Sequence, residues 1–260
     1  MIQFLADIGN IFKNYWIYLL RGVGNTMLIA LVGTLFGLAI GLLIGIFRTT
    51  PLPRGSVLRV FHKILDVICR VYIEVFRGTP MMVQAMVIYW GYAFATGGET
   101  LPLLATGIFI VSINTGAYMA EIARGGIVSI DQGQFEGAAA IGMTHWQTMI
   151  YVVIPQVLRN ILPSVSNEFV INIKDTSVLN VIGVAELYYY AAVIKRFNLQ
   201  IFQNYVVVCI LYFIMTFTIT KLLRYLEKKL DGKENYTVFG SQSDPEAEIH
   251  IDTREVIPND

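Results

Sequence analysis

The sequence predicts an all-α, polytopic membrane protein with five transmembrane helices. Of its 260 residues, 55% are hydrophobic and 15% are charged, whereas soluble domains average about 25% charged residues. Four runs without a charged residue are 21 to 26 residues long, and a helix of roughly 20 residues crosses the hydrocarbon core. A fifth region is mostly apolar but contains four charged residues. The predicted spans are about 22–47, 64–97, 100–121, 160–194 and 197–220.

Charge and composition exclude several other classes of protein. Nineteen Lys and Arg residues balance nineteen Asp and Glu residues, whereas nucleic-acid binders usually carry a basic excess, so no nucleic-acid partner is expected. Cys69 and Cys209 are too few for a disulfide scaffold. The three histidines are scattered without metal-ligand spacing, and hydrolase motifs are absent from the sequence. We therefore expect neither an enzyme nor a cofactor or metal site in this chain.

The first span carries glycines in a strict four-residue repeat. Residues 1–21 precede this span and are predicted to form an extracytoplasmic N-terminal segment. Within the span, one glycine per helical turn forms a smooth stripe, which lets another helix approach closely and pack against the backbone. The partner helix could belong to the same chain or to another subunit. The stripe consists of Gly33, Gly37, Gly41 and Gly45.

The second span is interrupted by Thr79-Pro80. Proline breaks the helical hydrogen-bond ladder, and threonine is a good N-cap for a helix that begins with proline. A new helix is therefore expected to begin at Pro80, inside the membrane, where its free N–H groups would favour an anionic group such as a substrate carboxylate. Gln84 adds an amide one turn later. The alternative is a simple proline kink without a binding role.

The fifth span places charges at membrane depth. An uncompensated charge at the bilayer centre costs about 2.5–3.5 kcal/mol on insertion scales, so such groups face a bundle interior or a wet cavity. Glu168 and Asp175 are seven residues apart and would share one face of an unbroken helix, with Asn167 nearby. These three residues are candidates for lining a pathway. Alternatively, Lys174 pairs with one of the acids in a purely structural ion pair.

The distribution of Lys and Arg predicts the orientation. Residues 48–77, 122–159 and 221–233 contain thirteen of them, and the opposite side contains four. Positive residues concentrate on the cytoplasmic side, so the N-terminus is predicted outside and the C-terminus inside. Residues 230–260 hold eight acids against Lys233 and Arg254. They are predicted to form an acidic, disordered cytoplasmic tail.

The largest predicted cytoplasmic loop is 122–159. Ala138–Ala140 favour a helix, Glu136 suits its first turn, and Gly142 can end it. A second helix is expected over His145–Val153, ending at Pro155. Two short helices would form a projecting docking element. An amphipathic helix lying on the membrane surface is the alternative.

This loop resembles the EAA loop of the membrane subunits of ATP-binding-cassette (ABC) importers. The family pattern is Glu-Ala-Ala, three residues, Gly, nine residues, and Ile-x-Leu-Pro. This chain has Glu136-Gly137-Ala138, then Gly142, then Val152-Val153-Ile154-Pro155, and departs from the pattern at Gly137, Val152 and Ile154. Further segments are similar to the polar amino-acid permease subgroup (histidine, glutamine and arginine types). They are residues 74–80, 114–121, 167–169 and 174–177.

The resemblance covers about residues 15–229 and implies a permease core of five spans, within a permease domain at 22–229. Two permease subunits, identical or related, would form the pathway in a bacterial cell membrane. Cytoplasmic ABC ATPase subunits, which would carry the ATP and magnesium, would bind the loops, and an extracytoplasmic binding protein would deliver the amino acid. The implied substrate residues are Glu74, Thr79, Gln84, Asn167, Glu168 and Asp175. The implied ATPase-coupling residues are Glu136, Gly137, Ala138, Ala139 and Gly142.

A secondary transporter or channel remains the alternative function. In that reading Glu168 and Asp175 bind protons or cations and no ATPase is needed. The sequence contains no G-x-x-x-x-G-K-[ST] phosphate loop, so ATP-driven transport requires a partner chain. The residues do not select among arginine, glutamine, glutamate and cystine as the substrate.

Overall fold

The structure is a computed structural model that describes residues 2–52 and 55–230. All regular structure in these residues is helical, which agrees with the predicted all-α class. A π-helical turn and a 3-10 segment accompany the α-helices at Met149–Val153 and Thr176–Ile182. The α-helices are α1 Ile2–Thr49, α2 Ser56–Gly78, α3 Met81–Ala95, α4 Leu103–Val128, α5 Gln132–Ala140, α6 His145–Thr148, α7 Ile154–Asp175, α8 Leu187–Asn198 and α9 Ile201–Leu230.

Four stretches of the described residues are long and apolar enough to cross a membrane. They are Gln3–Thr49, Leu103–Val128, His145–Ile182 and Ile201–Lys229. The predicted second span is divided between α2 and α3. Helix α3 is apolar apart from Gln84 and has 15 residues, fewer than the roughly 20 that span a bilayer. Helix α2 carries a row of charged residues along one face.

The glycine stripe of α1 packs against α4 of the same chain. Each glycine faces one residue of α4, and these α4 residues also recur every four positions. A Cβ added at Gly37 would lie 2.8 Å from the Thr115 side chain, and one at Gly45 would lie 2.8 Å from Ala123 Cβ. The predicted packing role is confirmed, and the partner helix is intramolecular. The pairs are Gly33–Val111, Gly37–Thr115, Gly41–Met119 and Gly45–Ala123.

A buried polar network ties α7 to this pair. Asn172 is 3% exposed, and its side-chain amide nitrogen donates to Thr34 Oγ1 at 2.8 Å and lies 3.0 Å from Thr115 Oγ1. Thr34 is on α1 and Thr115 on α4, so three long helices meet at one amide. Because hydrogen bonds of this kind satisfy polar groups that lack water, they fix the relative position of the helices.

Glu186 anchors α8 to the rest of the chain. Its side chain is fully buried and caps α8 by accepting from the N–H groups of Tyr188 and Tyr189 at 2.9 and 2.7 Å. Tyr212 of α9 donates its hydroxyl to the same carboxylate at 2.7 Å. Three donors therefore satisfy this buried carboxylate, and α8 is held against α9.

The N-terminal segment is helical from Ile2 and continuous with the first span. A kink at Tyr15 (φ −121°, ψ 15°) divides α1. Ile11 and Leu19 are buried in a hydrophobic cluster with residues of α7, α8 and α9. Residues 3–21 therefore pack against the helical bundle.

The predicted helix end at Pro155 is wrong. Helix α6, the π-helical turn and α7 follow one another without a gap from His145 to Asp175. The N–H of Ile154 bonds to the carbonyl of Met149, five residues earlier. This wider turn accommodates Pro155, which has no N–H and whose ring would clash with the preceding turn of a regular α-helix.

A single span at 160–194 is also wrong. Helix α7 ends at Asp175, the 3-10 segment ends at Ile182, and Gly183 turns the chain with φ +90°. Helix α8 is therefore separate. The sequence shows no proline or charge run at this turn, and Gly183 is its one local signal. The predicted acidic tail lies outside the described residues apart from Leu230, the last residue of α9.

Candidate functional site

The chain leaves the helical conformation between α2 and α3, as the sequence predicts. Thr79 and Pro80 have extended backbones (ψ 146° and 135°). Helix α3 begins at Met81, one residue later than expected. Thr79 does not cap it: its hydroxyl donates back to the carbonyl of Val75 at 2.7 Å. The helix is therefore interrupted between α2 and α3, but the Thr79 side chain bonds to the last turn of α2 and not to the first turn of α3.

Gln84 bridges the two sides of this break. Its amide nitrogen lies 3.0 Å from the Phe76 carbonyl and 2.9 Å from both the carbonyl and the hydroxyl oxygen of Thr79. Its amide oxygen accepts from Asn114 of α4 at 2.9 Å. Gln84 is 7% exposed. The side chain thus satisfies carbonyls that α2 leaves free and holds the break against α4.

Helix α7 presents the acidic candidates on one continuous face. The helix is unbroken from Ile154 to Asp175, so Glu168 and Asp175 share a face as predicted. Asp175 and Asn167 are exposed and Glu168 is half-buried. Within residues 2–52 and 55–230, no ion pair joins Lys174 to either acid. The alternative of a structural ion pair is not supported.

Arg77 belongs to the same surface and was not among the predicted site residues. Its guanidinium lies over the Tyr118 ring of α4, 5.5 Å from the ring centroid. Both Arg77 and Asp175 interact electrostatically with the Glu168 carboxylate. Glu74 is exposed one turn earlier on α2. The end of α2 and the C-terminal half of α7 therefore form a surface of mixed charge, which we call the mixed-charge surface and define as Glu74, Arg77, Glu168 and Asp175.

A second charged cluster joins the middle of α2 to α1 and α4. Arg48 at the end of α1 pairs with Glu121 of α4 and with Asp66 of α2. Arg70 and Arg124 complete it by pairing with Asp66 and Glu121 at 2.5 and 2.9 Å. Arg48 is 15% exposed, and its two ion pairs link the end of α1 to α2 and α4.

The segment resembling the EAA loop forms a short, well-terminated helix. Asp131 caps α5 by accepting from the Gly133 N–H at 2.6 Å. This cap was not predicted, and it puts Glu136 in the second turn and not in the first. Gly142 ends the helix as expected, with φ +80°. The N–H groups of Gly142 and Met143 bond back to Ala139 and Ala138, both at 3.0 Å, which is a Schellman termination.

The predicted coupling residues do not all face outward. Glu136, Gly137, Ala139 and Gly142 are exposed. Ala138 is 5% exposed and packs toward the chain. Large apolar side chains after α5 are also exposed, although a lone soluble domain would normally bury them. They are Ile141, Trp146, Ile150 and Tyr151.

Comparison with known proteins gives consistent matches. Residues 52–232 match the family described as the binding-protein-dependent transport system inner membrane component. The chain is 37% identical to a glutamine transport system permease of Escherichia coli, over 82% of this chain and 92% of the relative. It is 34% identical to an L-cystine transport system permease of Bacillus subtilis, over 84% of this chain and 89% of the relative.

Solved structures agree with these relatives. An amino acid ABC transporter crystallised with histidines superposes with a TM-score of 0.71 at 34% identity, over 84% of this chain and 96% of that chain. A methionine ABC transporter in an inward-facing conformation gives a TM-score of 0.62 at 18% identity, over 82% of this chain and 97% of that chain. The second match supports the fold alone.

Proposed function

The chain belongs to the family of binding-protein-dependent transport system inner membrane components, and on this premise we propose that it is the permease subunit of an ATP-driven importer of polar amino acids. The observation that carries the proposal is its 37% identity, over 82% of its length, with a glutamine permease. Glutamine, cystine and histidine are named for the relatives and for the structural neighbour, so a polar amino acid is the proposed substrate class.

The proposed architecture has five spans, with α2 and α3 together forming the second. The N-terminus is outside and the C-terminus is in the cytoplasm, as the excess of Lys and Arg in the proposed cytoplasmic segments supports. Two permease chains, identical or related, pack together in the bacterial cell membrane. The mixed-charge surface is exposed in the single chain apart from the half-buried Glu168, and in the pair it lines the pathway.

The mixed-charge surface suits a zwitterion. Arg77 can pair with a substrate carboxylate in a bidentate arrangement. Glu168 and Asp175 can accept from a substrate ammonium group, with Asn167 adding an amide. The contacts of Thr79 and Gln84 with the chain's own backbone support a positioning role for both residues, since they hold the end of α2 that carries Arg77.

Energy comes from partner subunits. Cytoplasmic ABC ATPases bind ATP and magnesium, and each receives α5 of one permease chain in a surface cleft. Nucleotide binding closes the ATPase pair, moves α5 and opens the pathway outward, and hydrolysis resets it. An extracytoplasmic binding protein delivers the amino acid. The exposure of Glu136 and Ile141 supports docking at this helix.

Reconstitution tests the proposal against the secondary-transporter alternative. The full chain would be purified from its native membrane with its bound subunits, and the subunits identified by mass spectrometry. Uptake of labelled glutamine, cystine, histidine and arginine would then be measured in proteoliposomes. We expect an ATPase to copurify and uptake to require ATP. Uptake driven by an ion gradient in vesicles that hold only this chain would overturn the proposal.

Glu168→Gln and Asp175→Asn are expected to weaken uptake without loss of folding. A hydrogen bond to a charged group contributes about 1.5–3 kcal/mol, so each change should raise the substrate concentration for half-maximal uptake about tenfold or more. The matched control is Glu99→Gln, an exposed acid in the turn after α3. Normal uptake kinetics in both variants would remove these acids from the path.

A further inference from the structure

The inner end of α9 carries a cationic cleft that the transport mechanism does not use. Lys221, Arg224, Tyr225 and Lys228 line an open surface cleft of about 270 Å³ between their side chains. Their spacing puts them on one face of the helix, and all four are exposed. No acidic residue is among the lining residues, so the cleft favours an anion.

An exposed aromatic strip leads to this cleft along the same helix face. Phe213 and Phe217 stack with ring centroids 5.7 Å apart. The Lys221 ammonium lies 5.5 Å from the Phe217 ring centroid, so the strip and the cleft are continuous. Both phenylalanines are more than half exposed and lie in the uncharged run 197–220, whereas the cleft begins at the next residue.

We propose that the cleft and the strip form a binding site for one anionic phospholipid. The phosphate lies between Lys221, Arg224 and Lys228, and an acyl chain runs along Phe213 and Phe217. A cation cluster directly beside a charge-free span lies at the level of the lipid headgroups, where it is attracted to anionic lipids. The long stems of Lys221 and Arg224 reach the headgroups while they cover apolar surface.

The strip argues for a lipid over a soluble anion. A free phosphate would satisfy the three cations but would leave the exposed faces of Phe213 and Phe217 uncovered. A phospholipid occupies both halves of the site with one molecule. The inference rests on the membrane location in the proposed function but not on the substrate or the ATPase.

Native mass spectrometry can count the bound lipids. The full-length chain with its copurified subunits would be released from micelles that contain equal amounts of phosphatidylglycerol and phosphatidylcholine. We expect phosphatidylglycerol adducts to outnumber phosphatidylcholine adducts, at one per permease chain. Because each cation near an anionic surface is worth roughly fivefold in affinity, the double variant Lys221→Gln/Arg224→Gln should reduce this preference at least tenfold.

A matched double variant distinguishes lipid binding at this site from attraction of the lipid by the general positive charge of the surface. Lys63→Gln/Lys229→Gln removes the same charge from exposed positions outside the cleft and should leave the preference unchanged. Equal retention of the two lipids by the unmodified chain, or equal loss in both double variants, would overturn the proposal.

Two further measurements separate lipid binding at the cleft from binding of the acidic tail and from transport. Residues 231–260 directly follow α9, and a chain ending at Leu230 should keep its lipid preference. If phosphatidylglycerol binds the cleft only after this truncation, the cleft belongs to the tail and the proposal fails. ATP-driven uptake measured on the same preparation reports separately on the proposed function, since the lipid count requires neither ATP nor an amino acid.

Discussion

Replacing Glu136 with lysine is expected to abolish ATP-driven uptake while leaving the chain folded in the membrane. Glu136 is exposed on α5, and exposed substitutions away from special features usually change stability by less than about 0.5 kcal/mol. At a docking interface, by contrast, reversing a charge opposes the partner's complementary charge and can cost several kcal/mol. A loss of that size lowers the affinity for the ATPase about a hundredfold or more, which leaves no measurable coupled uptake.

The measurement compares four quantities in the same proteoliposomes: the amount of permease, the amount of ATPase bound to it, the ATPase activity and the uptake. For Glu136→Lys we expect normal permease levels, a weakened association with the ATPase and no ATP-driven uptake. Glu99→Lys makes the same charge change at an exposed site in the turn between α3 and α4, and should retain uptake. If Glu136→Lys transports normally, α5 is not the coupling element.

Local chemistry explains which structural features could be predicted. Each of these features is governed by residues within about one turn of one another. The break at Pro80 follows from a missing N–H, and the end of α5 follows from the left-handed conformation of Gly142. The glycine stripe was recognisable because a four-residue repeat leaves one side of a helix without side chains.

Features that depend on distant residues were missed. In the sequence, Asn172 is only one of several polar residues in α7. In the fold, its side-chain amide joins α1, α4 and α7. Glu186 likewise joins α8 to α9, because it also accepts from the Tyr212 hydroxyl, 26 residues further along the chain. Polar residues of similar type therefore differ in their contacts only after the helices have packed, and the sequence alone does not distinguish them.

In the candidate site, too, the sequence predicted which residues are polar but not what each of them contacts. Sequence reasoning selected Gln84 and Glu168 because both are polar at membrane depth. In the fold, the Gln84 amide is engaged by Phe76, Thr79 and Asn114, whereas Glu168 remains open to the mixed-charge surface. Arg77 was overlooked because it stands at the edge of an uncharged run, where basic residues usually mark the membrane boundary.

Gly41→Ala is expected to destabilise the chain, whereas the same change at Gly24 is not. A Cβ at position 41 would lie 2.6 Å from the Met119 carbonyl carbon and 2.8 Å from the Ala120 backbone nitrogen. Backbone atoms cannot rotate away, so α1 and α4 would have to separate. Overpacking of this kind costs about 1–3 kcal/mol, and separation would also strain the Thr34–Asn172–Thr115 network.

Gly24 lies in the same helix with no atom within 4 Å of an added Cβ. Alanine is favoured over glycine in a helix by about 1 kcal/mol, so Gly24→Ala should be stabilising. Thermal unfolding of the two variants in one detergent would therefore shift in opposite directions, and Gly41→Leu should prevent the chain from folding. If both alanine variants unfolded like the unmodified chain, close approach of α1 and α4 would not be what holds the bundle together. The opposite signs test packing specifically, because both changes add the same methyl group to the same helix.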